Sequence, residues 1–398
     1  MKRCLSLFFC FVFILQGLLF FHQPGQESVK SENRTLTQWP DKLIWTDAGL
    51  KQYTTAVDQY FSDRIVWRKK LIELAVKAQL ALHDAPNYEK VFRGKEDWWF
   101  LGNDYANIIA KLTGNIDQQA QRITDWWSQH LVKNFGEYKK QGVPGIFLLG
   151  PNKSSVYGEY LPDFIHPTKR RYSMSTLEKI SRAEIPVCDP TSALLAAKSQ
   201  GFLYWKADTH WNLLGASIAF QAFLRQLRNS FGYDLQLPSF TIQPSDENFG
   251  QMWKMAGISD YRLDVKDNYL LIWSEKRNLL EVSMGSEKLD VNEKTEGLSD
   301  RVKLTFRTFN GRGASWRSPL AMYPQPDEGQ PVQVINGQAT SNLKVWLFHD
   351  SFSIALSPFY HAIFAETWHF AQADFGKADF TRYGKPDLII YQSVERSL

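Results

Sequence analysis

The sequence predicts an α/β fold in which a parallel sheet carries helices on both faces. Three observations lead there. Gly145-Ile146-Phe147-Leu148-Leu149 is a continuous apolar run bounded by Pro144 and Gly150, which is how a buried parallel strand reads. Leu343-Lys344-Val345-Trp346-Leu347-Phe348 and Asp387-Leu388-Ile389-Ile390-Tyr391 are two further strand-like runs. Stretches of helical period separate them, and strand alternating with helix favours parallel pairing through right-handed crossovers.

Taken in order, residues 1–22 form a leader. Met1-Lys2-Arg3 precedes an apolar run from Cys4 to Phe21, at the lower limit for crossing a bilayer. His22-Gln23-Pro24 offers no small-residue cleavage site, so an uncleaved anchor with its positive end inside is expected. A cleaved signal peptide is the alternative. Residues 23–90 read as a tether and a helical lead. Val57, Tyr60, Phe61, Ile65, Leu71, Leu74 and Ala75 recur at three- and four-residue spacing. Residues 91–398 form the main domain, opening with a hairpin in which Val91–Arg93 and Trp98–Leu101 flank a Gly-Lys-Glu-Asp turn. Helices are expected over 116–141, over 173–200 with a break at Ile185-Pro186-Val187, after Asn212, and from Asp350 to Tyr360. Residues of about 235–340 are richer in Gly, Pro, Asp and Asn and are expected to form a β- and loop-rich insertion.

Composition narrows the function classes. The chain has 398 residues, 44% hydrophobic and 22% charged, with a formal net charge of +4 and no long basic run, so nucleic acid is not an expected partner. Of three Cys, two lie in the leader, which leaves Cys188 alone and permits no disulfide within the main domain. Trp is abundant, at 14 residues. Outside a core, Trp stacks on sugar rings or sits at membrane interfaces. Trp98, Trp99, Trp205, Trp211 and Trp316 fall in or near predicted loops and edges, where glycan stacking and core burial are both open.

The chemistry centres on Asp208-Thr209-His210-Trp211, just before a helix. Residues two apart on an extended segment point the same way, so the Asp208 carboxylate can lie beside the His210 imidazole. A carboxylate on Nδ1–H fixes the tautomer and frees Nε2 to act as a base. Half of a metal site and a satisfied core pair are the competing readings. No second paired-ligand spacing such as His-x-x-x-His accompanies it, so no metal is expected. Ser351, in Phe348-His349-Asp350-Ser351-Phe352-Ser353, follows a strand and opens a helix. Its Oγ would face the C-terminal edge of the sheet and its N–H a developing oxyanion. A plain helix cap is the alternative. Gly150 and Asn152, after the strand ending at Leu149, could add a backbone N–H and a side-chain amide to that oxyanion site, or merely form a polar turn. Lys153 beside them, and Arg312 and Arg317 flanking Trp316, could face an anionic sugar.

These motifs resemble the AlgX/AlgJ group of SGNH-hydrolase-like alginate and exopolysaccharide O-acetyltransferases. The resemblance rests on Asp208-Thr209-His210-Trp211, the Gly94-Lys95-Glu96-Asp97-Trp98-Trp99-Phe100-Leu101 hairpin, Gly150-Pro151-Asn152-Lys153, Asp350-Ser351-Phe352-Ser353 and the ending from Pro386 through Val394-Glu395-Arg396. It covers most of residues 55–232 and 340–398. It implies an SGNH-type α/β/α sandwich and a periplasmic acetyl transfer, with Ser351 as nucleophile, His210 as base and Asp208 as its orienter. Trp211, Lys153, Arg317 and Trp316 would be substrate-binding candidates. The acetyl group would come from a membrane-bound O-acyltransferase partner and pass through an acetyl-Ser to a polysaccharide hydroxyl, without a cofactor. The protein would be held at the inner membrane by residues 4–21. An acetylesterase of the same polymer, or a non-catalytic glycan-binding subunit of an export complex, are the rivals. One departure stands out: ordinary SGNH enzymes carry Gly before the Asp-Ser pair, and this chain has His349. A φ above zero there would strain His349, and its imidazole is a second candidate base.

Overall fold

A computed structural model describes residues 45–63, 89–245, 265–273 and 339–398, with short pieces at 28–29, 34–35, 37–40, 74, 250, 252–256, 283–284, 287–288, 305–308, 326, 328–329 and 331–337. The expected anchor at 4–21 and the candidates Arg312, Trp316 and Arg317 lie outside the described residues. Among the described residues, no helix is long and apolar enough to cross a membrane. The chain divides into two compact units, one drawn from residues 1–92 and 251–262, the other from 93–250 and 263–398. In the first, helix α1 (Asp47–Asp63) realises part of the expected helical lead, and its Tyr60 and Phe61 meet Trp39 edge-on at 5.1 and 6.1 Å.

The second unit is built on a seven-stranded sheet. In chain order its strands are β1 (Gly145–Gly150), β2 (Val187–Cys188), β3 (Thr305–Thr308), β4 (Val332–Ile335), β5 (Ser341–His349), β6 (Phe364–Ala371) and β7 (Leu388–Val394). Across the sheet they lie β3-β4-β6-β5-β7-β1-β2. From β6 to β2 the pairing is parallel, with Val345 opposite Leu388 and Ile389 opposite Gly145. The expected parallel sheet is therefore present, extended at one edge by an antiparallel pair, β3 and β4, from the loop-rich segment.

Helices cover both faces, and the sequence accounts for their ends. Helix α2 (Gln118–Lys140) starts where the Asp117 carboxylate accepts the Ala120 N–H at 2.6 Å. Its Leu131, Phe135 and Tyr138 pack on Phe147, Phe348, Phe370 and Tyr391 of the sheet, forming a hydrophobic core on this face. After α2 come α3 (Lys153–Val156), α4 (Met174–Arg182) and α5 (Thr191–Ala196). Helix α6 (Leu213–Phe231) is capped by Asn212, whose side chain accepts the Gly215 N–H, and stops at Gly232 in the left-handed region. On this second face Phe220 stacks on Phe359 of α7 (Ser357–Ile363) at 5.5 Å.

The helix expected from Asp350 to Tyr360 is broken in two. Ser351–Ser353 is a single 3-10 turn, and α7 begins only at Ser357. Pro358 lacks an N–H and is tolerated only in a first turn, so the helix restarts there. Ser351 thus opens a tight turn at the C-terminal end of β5 and not a long helix. Strain at position 349 does not arise either. His349 closes β5, and it is not among the residues with φ above zero.

Candidate active site

Two segments far apart in sequence meet at the C-terminal edge of the sheet. The first is the loop 203–212. It is not the extended segment expected from the spacing but a closed turn, with Tyr204 bridged to Trp211 and the Asn212 N–H donating to the Leu203 carbonyl at 3.0 Å. Within it one oxygen of Asp208 accepts the backbone N–H of His210 at 2.9 Å and the His210 Nδ1–H at 2.6 Å. The i to i+2 contact is an Asx turn, a local device that sets the carboxylate against the ring. A carboxylate accepts only, so Nδ1 carries the proton and Nε2 offers its lone pair. Burial alone would raise the Asp208 carboxyl. The facing His210, hydrogen bonds from its ring and backbone, and Lys153 together hold it below the usual range.

The second segment is the Ser351 turn. The Asp350 carboxylate caps it, accepting the Phe352 N–H at 2.9 Å and the Val394 N–H from β7 at 2.6 Å. Ser351 Oγ then lies 2.8 Å from His210 Nε2, completing the line Asp208, His210, Ser351. The Ser351 N–H has no hydrogen-bond acceptor among the described residues. A hydroxyl, a base that can take its proton, a carboxylate to hold the base and a free backbone donor are the parts of a nucleophilic acyl-transfer site.

Several buried groups hold the two segments together, and two of them differ from expectation. Lys153 does not face solvent. It is 3% exposed, and its ammonium donates to the carbonyls of Trp205, Lys206 and Asp208 at 3.1, 3.0 and 2.7 Å. Burial pushes it down to about 7, against the opposing pull of Asp208 and Asp267. It is a clamp on the Asp208 loop, not a sugar-facing cation. Trp211 is wholly buried, and its indole N–H donates to the Phe352 carbonyl at 2.9 Å. It ties loop to turn and presents no face for stacking. Trp98, Trp99 and Trp205 are also buried, Trp98 stacking on Tyr157 at 4.2 Å, so of the five tryptophans singled out only Trp316 escapes this description, by lying outside the described residues.

The other oxyanion candidates also have different occupations. Asn152 gives its N–H to Glu395 at 2.9 Å, and its amide nitrogen lies 3.4 Å from the Tyr172 hydroxyl. Gly150 passes under the Phe352 ring, where a Cβ would come within 2.8 Å of it. Ser351 is the candidate whose N–H has no acceptor among the described residues. His349 is buried, with both ring nitrogens engaged, one with His369 and one with the Asp350 carbonyl, and is not available as a base. Cys188 is buried and its thiol is pushed well up by desolvation, as suits an inert side chain.

Three contributors went unread in the sequence. Glu395 is fully buried and accepts from the Asn152 N–H, Ser155, Ser173 and Arg171. Asp267, from the loop-rich segment, takes the Lys206 N–H at 2.6 Å, and its carbonyl takes the Asn212 amide at 2.8 Å. Gly250, at φ +87, lies so close to the Ala207 backbone and the Asp208 Cβ that an added Cβ would fall within 2.5 Å of the Ala207 oxygen. The signal for Glu395 was available: a carboxylate directly after an uninterrupted buried strand must find partners.

Fold and site together define an α/β domain of the SGNH-hydrolase type. Residues 91–270 match the family described as "SGNH hydrolase-like domain, acetyltransferase AlgX". Over 159 residues the chain is 24% identical to the probable alginate O-acetylase AlgJ of Pseudomonas aeruginosa, a match covering 39% of this chain and 37% of that one. Among solved structures, it is similar to PatB1 of Bacillus cereus, with 16% identity, a TM-score of 0.48 and coverage of 78% of this chain and 95% of that one. It is also similar to the O-acetyltransferase domain of AlgJ from Pseudomonas putida, with 13% identity, a TM-score of 0.46 and coverage of 77% and 91%. Residues 91–270 are thus similar to the AlgX domain, and the chain matches a little over a third of the length of AlgJ.

Proposed function

We propose that the protein is an O-acetyltransferase that carries an acetyl group on Ser351 and delivers it to a hydroxyl of an exopolysaccharide. The observation that carries this reading is the unbroken line from Asp208 through His210 to Ser351 Oγ, at 2.6 and 2.8 Å. As Oγ attacks the acetyl carbonyl of the donor, its proton moves to His210 Nε2, and Asp208 steadies the imidazolium. The negative charge that collects on the acetyl oxygen is met by the Ser351 N–H. The tetrahedral species collapses, the donor's leaving oxygen takes the proton from His210, and acetyl-Ser351 remains. A sugar hydroxyl then gives its proton to His210 and attacks the ester, and His210 passes that proton to Ser351 Oγ as it leaves, freeing the acetylated sugar and restoring the site.

The acceptor follows from the relatives: the name of AlgJ gives alginate, and an alginate-like polymer is proposed here. A membrane-bound O-acyltransferase as donor, a periplasmic setting and anchoring by residues 4–21 belong to the same proposal, the last supported by the basic start and apolar run. No cofactor enters the steps above. The reading is tested by offering an acetyl ester together with oligosaccharides of alginate type. Transfer predicts that the acceptor captures acetyl faster than water does. Acetate release unchanged by the acceptor would instead make the site an esterase.

A further inference from the structure

His349 stands where a glycine would ordinarily precede the Asp-Ser pair, and its side chain opens a chain of three imidazoles. Its Nδ1 lies 3.1 Å from the Asp350 carbonyl and its Nε2 3.0 Å from His369 Nδ1. His369 Nε2 lies in turn 2.9 Å from His361 Nε2. All three side chains are buried, at 4, 0 and 1% exposure. His369 turns opposite nitrogens to its two neighbours, so the rings do not converge as metal ligands would.

The protons on this chain follow from elementary donor and acceptor rules. A carbonyl only accepts, so His349 Nδ1 carries a hydrogen. Burial pushes His349 and His361 down to about 3 and His369 well below its usual range, so the rings are neutral. A neutral His349 with Nδ1–H presents a lone pair at Nε2, so His369 must donate from Nδ1. His369 then presents a lone pair at Nε2, and His361 must donate from its own Nε2. Each ring has one permitted tautomer, and the chain runs one way, ending on the Asp350 carbonyl. Its far end, His361 Nδ1, has no hydrogen-bond partner among the described residues, as a lone pair left over at the start of such a chain would.

We infer that His349, His369 and His361 are positioning residues that set the orientation of the Asp350–Ser351 peptide and thereby aim the Ser351 N–H at the developing oxyanion. The inference rests on the acyl-enzyme reading above. The carbonyl of Asp350 and the N–H of Ser351 belong to one planar trans peptide and point in opposite directions. Gripping the oxygen therefore fixes where the hydrogen points. The Ser353 N–H, 3.2 Å from the same oxygen, and the His349 ring hold it from two sides. A glycine at 349 would leave the local turn alone to resist rotation of this peptide.

The test compares His349→Leu, which removes the donor, with His349→Asn, which keeps a side-chain N–H near the Nδ1 position. The readout is the rate of Ser351 acetylation by an activated acetyl ester, per folded molecule. Loss of one oxyanion donor costs roughly 100- to 1,000-fold. His349→Leu is expected to fall about 100-fold in kcat with little change in KM, and His349→Asn to recover to within about 5-fold. Equal rates in wild type and His349→Leu would overturn the inference, since a merely structural histidine affects the folded fraction and not the rate. A second measurement needs no variant. Nitrogen NMR of ¹⁵N-histidine protein should show Nδ1–H tautomers for His349 and His369 and an Nε2–H tautomer for His361. Any other set, or a charged ring at neutral pH, would also overturn it. Wild type that never acquires acetyl would defeat the acyl-enzyme reading instead, and the tautomers would then decide whether the chain exists as drawn.

Discussion

Gly250→Ala perturbs the site without changing any of its functional side chains. Gly250 sits at φ +87, and a Cβ placed there falls 2.5 Å from the Ala207 oxygen, 2.6 Å from its carbonyl carbon and 2.7 Å from the Asp208 Cβ. The Ala207 atoms are backbone and cannot swing aside. Ordinary contact begins at 3.4 Å, so the Ala207–Asp208 backbone would have to retreat by roughly 0.9 Å. That backbone carries the carboxylate that holds His210. A misplacement of about 1 Å can cost on the order of 100-fold in rate, so Ser351 acetylation should slow by about 10- to 100-fold. Stability should fall by roughly 2–4 kcal/mol, from the left-handed conformation and the overpacking combined. Gly232→Ala is the control: its φ is +73, with nothing within 4 Å of the added Cβ. It should lose only about 1 kcal/mol and acetylate at the wild-type rate. The assay is single-turnover acetylation by mass spectrometry, with urea denaturation of the same samples. Gly250→Ala that acetylates as fast as Gly232→Ala would refute the idea that backbone contact places Asp208.

Two further outcomes follow from the same geometry. Asp208→Asn keeps the side-chain shape but loses the carboxylate on Nδ1–H, and the acetylation rate should drop by roughly 10,000-fold, with urea denaturation checking that the fold survives. A drop below about tenfold would mean that Asp208 is only a cap. Asp267 gives a pH dependence, because burial raises its carboxyl to about 6. A raised acid favours folding while protonated, so its contribution is complete below about pH 4 and fades as pH climbs through 6. Relative to Asp267→Asn, wild type should lose up to about 3 kcal/mol between pH 4 and 7. Parallel stability curves for the two proteins would contradict this.

The sheet was legible where its strands are apolar throughout. Strands β1, β5 and β7 announce themselves because parallel strands buried on both faces need no polar alternation. Strand β6 does not, since Glu366, Thr367 and His369 interrupt it. Glu366 pairs with Lys344 at 3.3 Å and His369 belongs to the imidazole chain, partners that no local window displays. Strands β3 and β4 come from the segment expected to be rich in β and loop structure. That they join the main sheet antiparallel was not legible, because β4 finds its partner in β6. In the site, the identities of Asp208, His210 and Ser351 could be read from short motifs, because a turn and a strand end are local. What Lys153, Glu395 and Gly250 do could not. Their partners lie 55, 243 and about 40 residues away in sequence, and a lysine after a strand reads as solvent-facing until its three carbonyls are seen. Trp211 misled for a related reason: tryptophan serves equally as sugar platform and as core, and only its buried bond to Phe352 decides.

The most direct trial of the central claim is intact-protein mass spectrometry after brief exposure to an activated acetyl ester, comparing wild type with Ser351→Ala and His210→Ala. The account predicts one acetyl adduct, mapped by peptide digestion to Ser351 in wild type and missing from both variants. An adduct elsewhere, or one that survives either substitution, would contradict it and leave the hydrogen-bonded line of Asp208, His210 and Ser351 as structure alone.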